Sequence, residues 1–305
     1  MKKALVGYKG FVGSNIIEGQ NFDKLYDKEN IESIQNEEYD LVIWCAGKAE
    51  KFLANKNPEQ DLEHIKELIK MIGTVKTKRF VLISTIDVYK NPFNVDEDTF
   101  IDEEELHPYG LHKRYLEKWV LENMENPAII RLPALYGKNL KKNFIYDIMT
   151  IIPAMLNEEK YIQTNKKYNL SRYYTKQENG FYKLNELNNA EKVELKTFFE
   201  NNDFNSLSFT DSRNKYPFYN LSNLYNHIQH VINNNIRIMN ICTEPVSAGE
   251  IYKFIKGEEF VNIIMDEPVN YNIKTKHSEL FGGKNGYIYN KEQVLEDIKG
   301  FFKGV

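Results

Sequence analysis

Gly7-Tyr8-Lys9-Gly10-Phe11-Val12-Gly13 lies between an apolar run, Ala4-Leu5-Val6, and a segment in which Ile16 and Ile17 turn one face inward. This placement narrows the folds open to the chain more than any other feature. Three glycines spaced three apart at a strand-to-helix junction form a tight turn and let the backbone approach a ligand closely. They also aim the first helix N–H groups at negative oxygens, as a pyrophosphate requires. Gly7, Gly10, Phe11, Val12 and Gly13 are therefore the expected phosphate cradle. Lys9 precedes the second glycine, so the spacing is not the G-x-G-x-x-G form.

The elements that follow alternate. Lys24-Leu25-Tyr26 reads as a short strand ending at Asp27, and Leu41 to Ala46 is continuously apolar, as expected of a parallel strand covered on both faces. Leu62, Ile65, Leu68, Ile69 and Ile72 repeat at helical spacing up to Gly73. Phe80-Val81-Leu82-Ile83 is another buried strand and delivers Ser84-Thr85 at its carboxyl end. A helix from about Tyr109 to Asn123 and a strand from Ala128 to Leu132 complete the run. The order predicts an α/β fold: a Rossmann-type doubly wound parallel sheet, with a smaller carboxyl-terminal substrate lobe and a helical insertion. Residues 1–145 are expected to form the dinucleotide-binding domain and 146–305 the substrate lobe, with some segments of the latter returning to the sheet domain. Within the lobe, 157–207 is rich in Asn, Lys, Glu and Tyr and reads as helical pieces. Strand-like runs return at Ile238–Cys242 and Val261–Ile264. The paired aromatics Tyr173-Tyr174 and Phe198-Phe199 are suited to capping a pocket or burying a homodimer interface.

Composition excludes several classes. A net charge of -4 over 305 residues gives no basic footprint for nucleic acid. The start, Met1-Lys2-Lys3, imitates a signal peptide, but Gly7, Lys9 and Gly10 interrupt the apolar stretch. No run long enough to span a membrane follows, so the expectation is cytoplasmic. Cys45 and Cys242 lie inside apolar runs and read as small core residues. His227 and His230 have no partners at metal-ligand spacing and read as a solvated helix face; no metal is expected. The acids from Asp96 to Glu105 read as a solvated loop, and His64 as an ordinary surface histidine.

The candidate chemistry lies at Thr85, Tyr109 and Lys113. Tyr109 and Lys113, spaced Y-x-x-x-K, project from one helix face a turn apart. An isolated phenol, titrating near pH ~10, is a poor base at neutrality. An adjacent ammonium stabilises the phenolate and moves it toward general acid/base work. Thr85 can hydrogen-bond the same substrate oxygen. Asp27, ending the second strand, can accept hydrogen bonds from the adenosine ribose and would favour NAD, whereas Lys28 beside it could hold the phosphate of NADP.

These pieces together resemble the extended short-chain dehydrogenases/reductases of the NAD-dependent epimerase/dehydratase superfamily. The resemblance rests on Gly7 to Gly13, Ala46-Gly47, Ile83-Ser-Thr-Ile-Asp-Val-Tyr89, Tyr109-Gly-Leu-His-Lys113 with Glu117, and Arg131-Leu-Pro-Ala-Leu-Tyr-Gly137. It implies Thr85, Tyr109 and Lys113 as the catalytic set, with Lys113 also gripping the nicotinamide ribose and Ala46 and Gly47 beside the cofactor. It implies a nucleotide sugar as substrate. Dehydratases of the superfamily place an Asp-Glu pair after the catalytic Thr; here Ile86 and Asp87 stand there, which argues against dehydration and leaves Asp87 as a substrate contact. Asn143, where relatives place an amide near the nucleotide diphosphate, reads equally as a helix-entry residue. Arg213 and Lys215 are candidates for a substrate phosphate. Three functions are compatible with this pattern: an NAD(P)-dependent epimerase, a nucleotide-sugar 4-keto reductase, and a non-catalytic dinucleotide-binding regulator.

Overall fold

The computed structural model describes residues 1–304. They divide into two compact units, one of residues 1–139, 215–246 and 269–304, the other of 140–214 and 247–268.

The first unit is built on a six-stranded parallel sheet. In chain order its strands are β1 (Lys3–Val6), β2 (Lys24–Tyr26), β3 (Leu41–Trp44), β4 (Phe80–Thr85), β5 (Pro127–Leu132) and β6 (Ile238–Asn240). In space they run β2-β1-β3-β4-β5-β6. Strand order therefore reverses between β1 and β3, and a ligand crevice is expected beyond their carboxyl ends.

Alternate residues of these strands feed two cores. Leu5, Ile43, Val81 and Ile130 pack on one face with Ile16 and with Leu224, Ile228 and Val231 from a helix spanning Leu224–Asn233. Val6, Val42, Trp44, Leu82 and Ile129 pack on the other with Ile65, Ile72, Leu116 and Val120, which come from helices over Pro58–Ile72 and Pro108–Asn123. The helices preceding and covering the site are α1 (Phe11–Ile16), α2 (Lys51–Lys56), α3 (Pro58–Ile72) and α4 (Pro108–Asn123). Burial on both faces is why β3 and β5 carry no exposed position, even at Arg131.

The second unit holds helices over Phe144–Thr150, Glu158–Lys167, Asn189–Glu200 and Ala248–Lys256. It also holds a small antiparallel sheet of Met155–Leu156, Tyr182–Leu184 and Tyr174–Lys176. That sheet was not evident in the polar composition of 157–207. Val261–Ile264, expected as a strand, is irregular and leaves Val261, Ile263 and Ile264 exposed. Its backbone bonds run to the Asp211-Ser212 segment instead. Asn262 N–H donates to Ser212 Oγ at 3.2 Å, and Ile264 N–H donates to Asp211 Oδ2 at 3.0 Å.

The solvated face expected of His227 and His230 also needs correction. His227 is buried, bonded through Nδ1 to the Tyr219 hydroxyl at 2.8 Å, and burial pushes its pKa down to about 4. The acidic loop is not wholly solvated, because Glu97 accepts hydrogen bonds from Asn240 N–H, Lys276 N–H and the Thr275 hydroxyl. Cys242 is buried and Cys45 half-buried, both as free thiols.

Candidate active site

The glycine turn begins where β1 ends. Gly7 adopts φ +84°, and a Cβ there would stand 2.8 Å from Ala46 N. Only a glycine lets the loops after β1 and β3 touch this closely. Gly13 is required by contact with the same turn, because a Cβ would lie 2.2 Å from the Gly7 carbonyl oxygen. Gly10 precedes α1 and supplies no side-chain cap, so the first N–H groups of the helix face outward without a side-chain acceptor. Phe11 and Val12 are the first residues of that helix.

Asp27 follows β2, and its carboxylate is engaged by the Lys9 ammonium across the turn. That ion pair, with the Glu29 N–H at 2.9 Å, holds the Asp27 carboxyl below the usual carboxylate range. Lys9 also reaches Glu29 at 3.3 Å. Lys28 is exposed. Asp27, expected as the ribose-binding acid, therefore carries a neutralising cation from the glycine turn itself.

Beyond β4, Thr85 caps the short turn Ile86–Val88, its hydroxyl accepting from Asp87 N–H at 3.1 Å. The amino end of α4 is drawn against this turn. A Cβ on Gly110 would stand 2.3 Å from the Asp87 carbonyl oxygen, so the glycine after Tyr109 permits the approach. His107 caps α4 by accepting from Gly110 N–H at 3.0 Å and stacks on Tyr109 with ring centroids 6.3 Å apart. Asn55 Oδ1 accepts from Tyr109 N–H at 3.0 Å. Tyr109 is thus held by α2, by its own cap and by the β4 turn.

Thr85, Tyr109 and Lys113 lie together in the first unit. The Lys113 ammonium sits 5.5 Å from the centroid of the Tyr109 ring, and a Cβ on Gly47 would come within 3.3 Å of it. The electrostatics differ from the simple expectation for a Tyr-Lys pair. Burial, then Asp87 and Asp61, push the Tyr109 phenol above its ordinary value, while Thr85 acts in the opposite sense. Burial pulls the Lys113 ammonium down, against Asp61. The ammonium lies over the ring, and burial dominates the shift of the hydroxyl.

Asp87 is the centre of a polar cluster of which sequence reading found only part. Lys51 Nζ on α2 lies 2.6 Å from Asp87 Oδ1 and 3.4 Å from the Tyr271 hydroxyl. Tyr271 donates to the same carboxylate oxygen at 3.5 Å. Lys215 adjoins through its backbone: its carbonyl accepts from Tyr271 N–H at 3.0 Å. Lys51 and Tyr271 lie far apart in the chain, and no spacing rule joins them.

Beneath the cluster, Glu117 and Arg131 form a buried bidentate pair at 3.0 and 2.8 Å. The Ser84 hydroxyl donates to Glu117 at 2.6 Å, and Arg131 donates to the Tyr89 hydroxyl at 2.7 Å. α4 is thereby fastened to the residue preceding Thr85.

Asn143 and Arg213 belong to the second unit. Asn143, with φ +111°, caps the Phe144–Thr150 helix by accepting from Tyr146 N–H at 3.1 Å. Arg213 is committed to the buried Asp211 by two side-chain bonds of 2.9 and 2.8 Å and also reaches the Met265 carbonyl. In the first unit, a surface cavity of about 790 Å³ lies at the amino ends of the strands, lined by Lys2, Tyr39 and Trp119. That is the wrong end of a parallel sheet for the cofactor. Among the described residues no cluster suits a metal ion, and no helix is long and apolar enough to cross a membrane.

This arrangement, a glycine turn at the switch point with Thr85, Tyr109 and Lys113 near the end of a neighbouring strand, is the one that the resemblance to short-chain dehydrogenases/reductases implies. Residues 18–168, just under half of the chain, match the model of the NAD dependent epimerase/dehydratase family. No curated protein matches it by sequence. Among solved structures it is similar to a dTDP-4-dehydrorhamnose reductase from Bacillus anthracis in complex with NADP, at 18% identity and TM-score 0.62, covering 100% of this chain and 99% of that one. It is also similar to a UDP-glucose 4-epimerase from Thermotoga maritima with UDP-glucose, at 14% identity and TM-score 0.58, covering 99% and 98%. A UDP-glucuronic acid 4-epimerase from Bacillus cereus matches at 13% identity and TM-score 0.60, again covering 99% and 98%. At these identities the likeness is one of fold.

Proposed function

We propose that this protein is an NAD(P)-dependent oxidoreductase that moves a hydride at a sugar carbon of a nucleotide sugar. The observation that carries the reading is the meeting of Thr85, Tyr109 and Lys113 beside Gly47, in the unit that holds the Gly7–Gly13 cradle. Gly7 and Gly10 leave the cradle free of side chains, and α1 opens without a side-chain cap, which suits a pyrophosphate. The bound nicotinamide supplies the hydride acceptor or donor.

The chain's own residues handle the proton and the geometry. Tyr109 takes the proton from the sugar hydroxyl when that carbon is oxidised and returns it when the ketone is reduced. Thr85 hydrogen-bonds the same oxygen, which sharpens the approach angle. Lys113 holds the nicotinamide ribose, and Thr85 is the neighbour that favours the phenolate. Asp87, backed by Lys51, faces the substrate next to Thr85.

Retention of the hydride on the bound cofactor, followed by its return to the opposite face, makes the reaction an epimerisation. Consumption of NAD(P)H makes it a 4-keto reduction, and one observation favours that second reading. Lys9 neutralises Asp27 and Lys28 stands exposed beside it, so the ribose end is less hostile to a 2′-phosphate than a bare acid would be. Purified protein is the test material. Nucleotides that co-purify are identified by mass spectrometry, and absorbance of added NADH or NADPH is followed while 4-keto nucleotide sugars are supplied. Bleaching with stoichiometric product supports reduction, and interconversion of epimers without net bleaching supports epimerisation. A protein that binds no dinucleotide overturns the reading.

A further inference from the structure

Asp61 on α3 and His112 on α4 meet at 2.7 Å through Oδ2 and Nδ1, and both are buried. No role for either follows from the reaction described above. His112 immediately precedes Lys113 on α4, the residue whose ammonium the proposed function assigns to the cofactor.

Two geometric facts connect them. First, Lys113 forms no ion pair with any described residue: no carboxylate lies within 4.0 Å of Nζ. An ammonium in so confined a position is costly unless some negative charge acts on it. Secondly, Nζ rests toward one face of α3. A Cβ on Gly47 would stand 3.3 Å from both Lys113 Nζ and Leu68 Cδ1. Asp61, His64 and Leu68 share that face, at positions i, i+3 and i+7.

The groups bearing on Lys113 are few. α4 brings Tyr109 and His112, α3 brings Asp61 and His64, and the loop after β3 brings Lys48. Lys48 and Lys113 both disfavour a charge on His64, as burial does, and the His64 Nε2 is buried without a partner. Asp61 is the one acid that favours the protonated form of Lys113.

We infer that Asp61, fixed in place by His112, is the remote counter-charge of Lys113: a positioning pair on α3 and α4 that supplies the negative charge no direct partner provides. The inference rests on the proposed function, in that Lys113 must act as an ammonium toward the cofactor. Removing the Asp61 charge lets Lys113 lose its proton at lower pH, and dinucleotide affinity then falls at the alkaline end first.

The test is NADH and NADPH binding to the full chain, followed by fluorescence across neutral to alkaline pH. It compares wild type with Asp61→Asn, which keeps a hydrogen-bonding group of the same shape. The expected result is affinity within about threefold of wild type at neutral pH and a loss on the order of tenfold at the alkaline end. A loss that is uniform with pH, or no loss, overturns the inference. If Asp61→Asn does not fold, His112→Gln carries the test, since it keeps a donor to the carboxylate and leaves its charge. Its alkaline limb falls at or above the wild-type pH, and a limb displaced to lower pH overturns the inference. Wild-type protein that binds neither dinucleotide overturns the functional reading instead, so the two failures are distinct.

Discussion

Lys51 and Asp87 form an ion pair of 2.6 Å beside Thr85, joining α2 to the turn that ends β4. Asp87 was expected from the sequence only as a substrate contact; its partner makes it part of a charged cluster whose neutrality depends on a helix elsewhere in the chain. Burial pulls the Lys51 ammonium down, but Asp87 and Tyr271 together hold it above its ordinary value.

Lys51→Ala leaves the Asp87 carboxylate beside Thr85 without its cation. Dinucleotide affinity should stay within about twofold, while turnover falls roughly ten- to hundredfold, the scale of one lost interaction at the reacting centre. Steady-state kinetics with a parallel cofactor titration separates the two. Unchanged turnover would make the pair a surface contact.

Lys9→Ala frees Asp27 to accept from the adenosine ribose. NAD affinity should rise or hold, and NADP affinity should fall by roughly tenfold, reflecting a lost charge-assisted contact on the order of 1.5 kcal/mol. Asp27→Ala should weaken NAD and narrow any preference between the two cofactors. Calorimetry with both cofactors on both variants decides this. Equal affinities throughout would place the ribose contact elsewhere.

Glu117 and Arg131 test how α4 is fastened. Truncating Glu117 leaves the buried Arg131 charge without its carboxylate, and the expected loss of stability is about 3–5 kcal/mol. Urea unfolding of Glu117→Ala should show it. Ser84→Ala removes one hydrogen bond to the same carboxylate and should cost about 1–2 kcal/mol.

His227 gives a pH dependence with a definite sign. Its folded pKa, about 4, lies below the ordinary 6.5 because burial disfavours its charge. Above about pH 6.5 neither state binds the proton and the residue contributes no pH dependence. As pH falls below that, the unfolded chain takes up a proton the folded chain refuses, and stability declines until about pH 4. At pH 5 the deficit is about 2 kcal/mol. Unfolding free energies at pH 7 and pH 5 should therefore differ less in His227→Gln than in wild type. An equal difference in both would remove His227 as a contributor.

Legibility in the sequence followed the physical range of each constraint. Gly7, Gly10 and Gly13 could be read because a turn with no room for Cβ leaves a spaced pattern in adjacent residues. β3, β4 and β5 could be read because strands covered on both faces are apolar throughout. Tyr109 and Lys113 share one helical turn, so their spacing carried their relation. Lys51, Tyr271 and Lys9 are defined by contacts across long sequence separations, and nothing local marks them. Val261–Ile264 has strand composition, but its backbone bonds go to Asp211 and Ser212 rather than to a neighbouring strand. His227 was misread because a polar residue on an amphipathic helix gives no hint that Tyr219 waits to accept it in the core.

The most direct test of the account is hydride transfer by Tyr109→Phe in a single turnover, with saturating cofactor and a 4-keto nucleotide sugar that wild type accepts. The substitution removes one hydroxyl from a buried ring stacked on His107. The account predicts an intact fold, dinucleotide affinity within a few-fold of wild type, and a rate lower by roughly two to four orders of magnitude. A rate close to wild type would contradict it and remove Tyr109 from the chemistry.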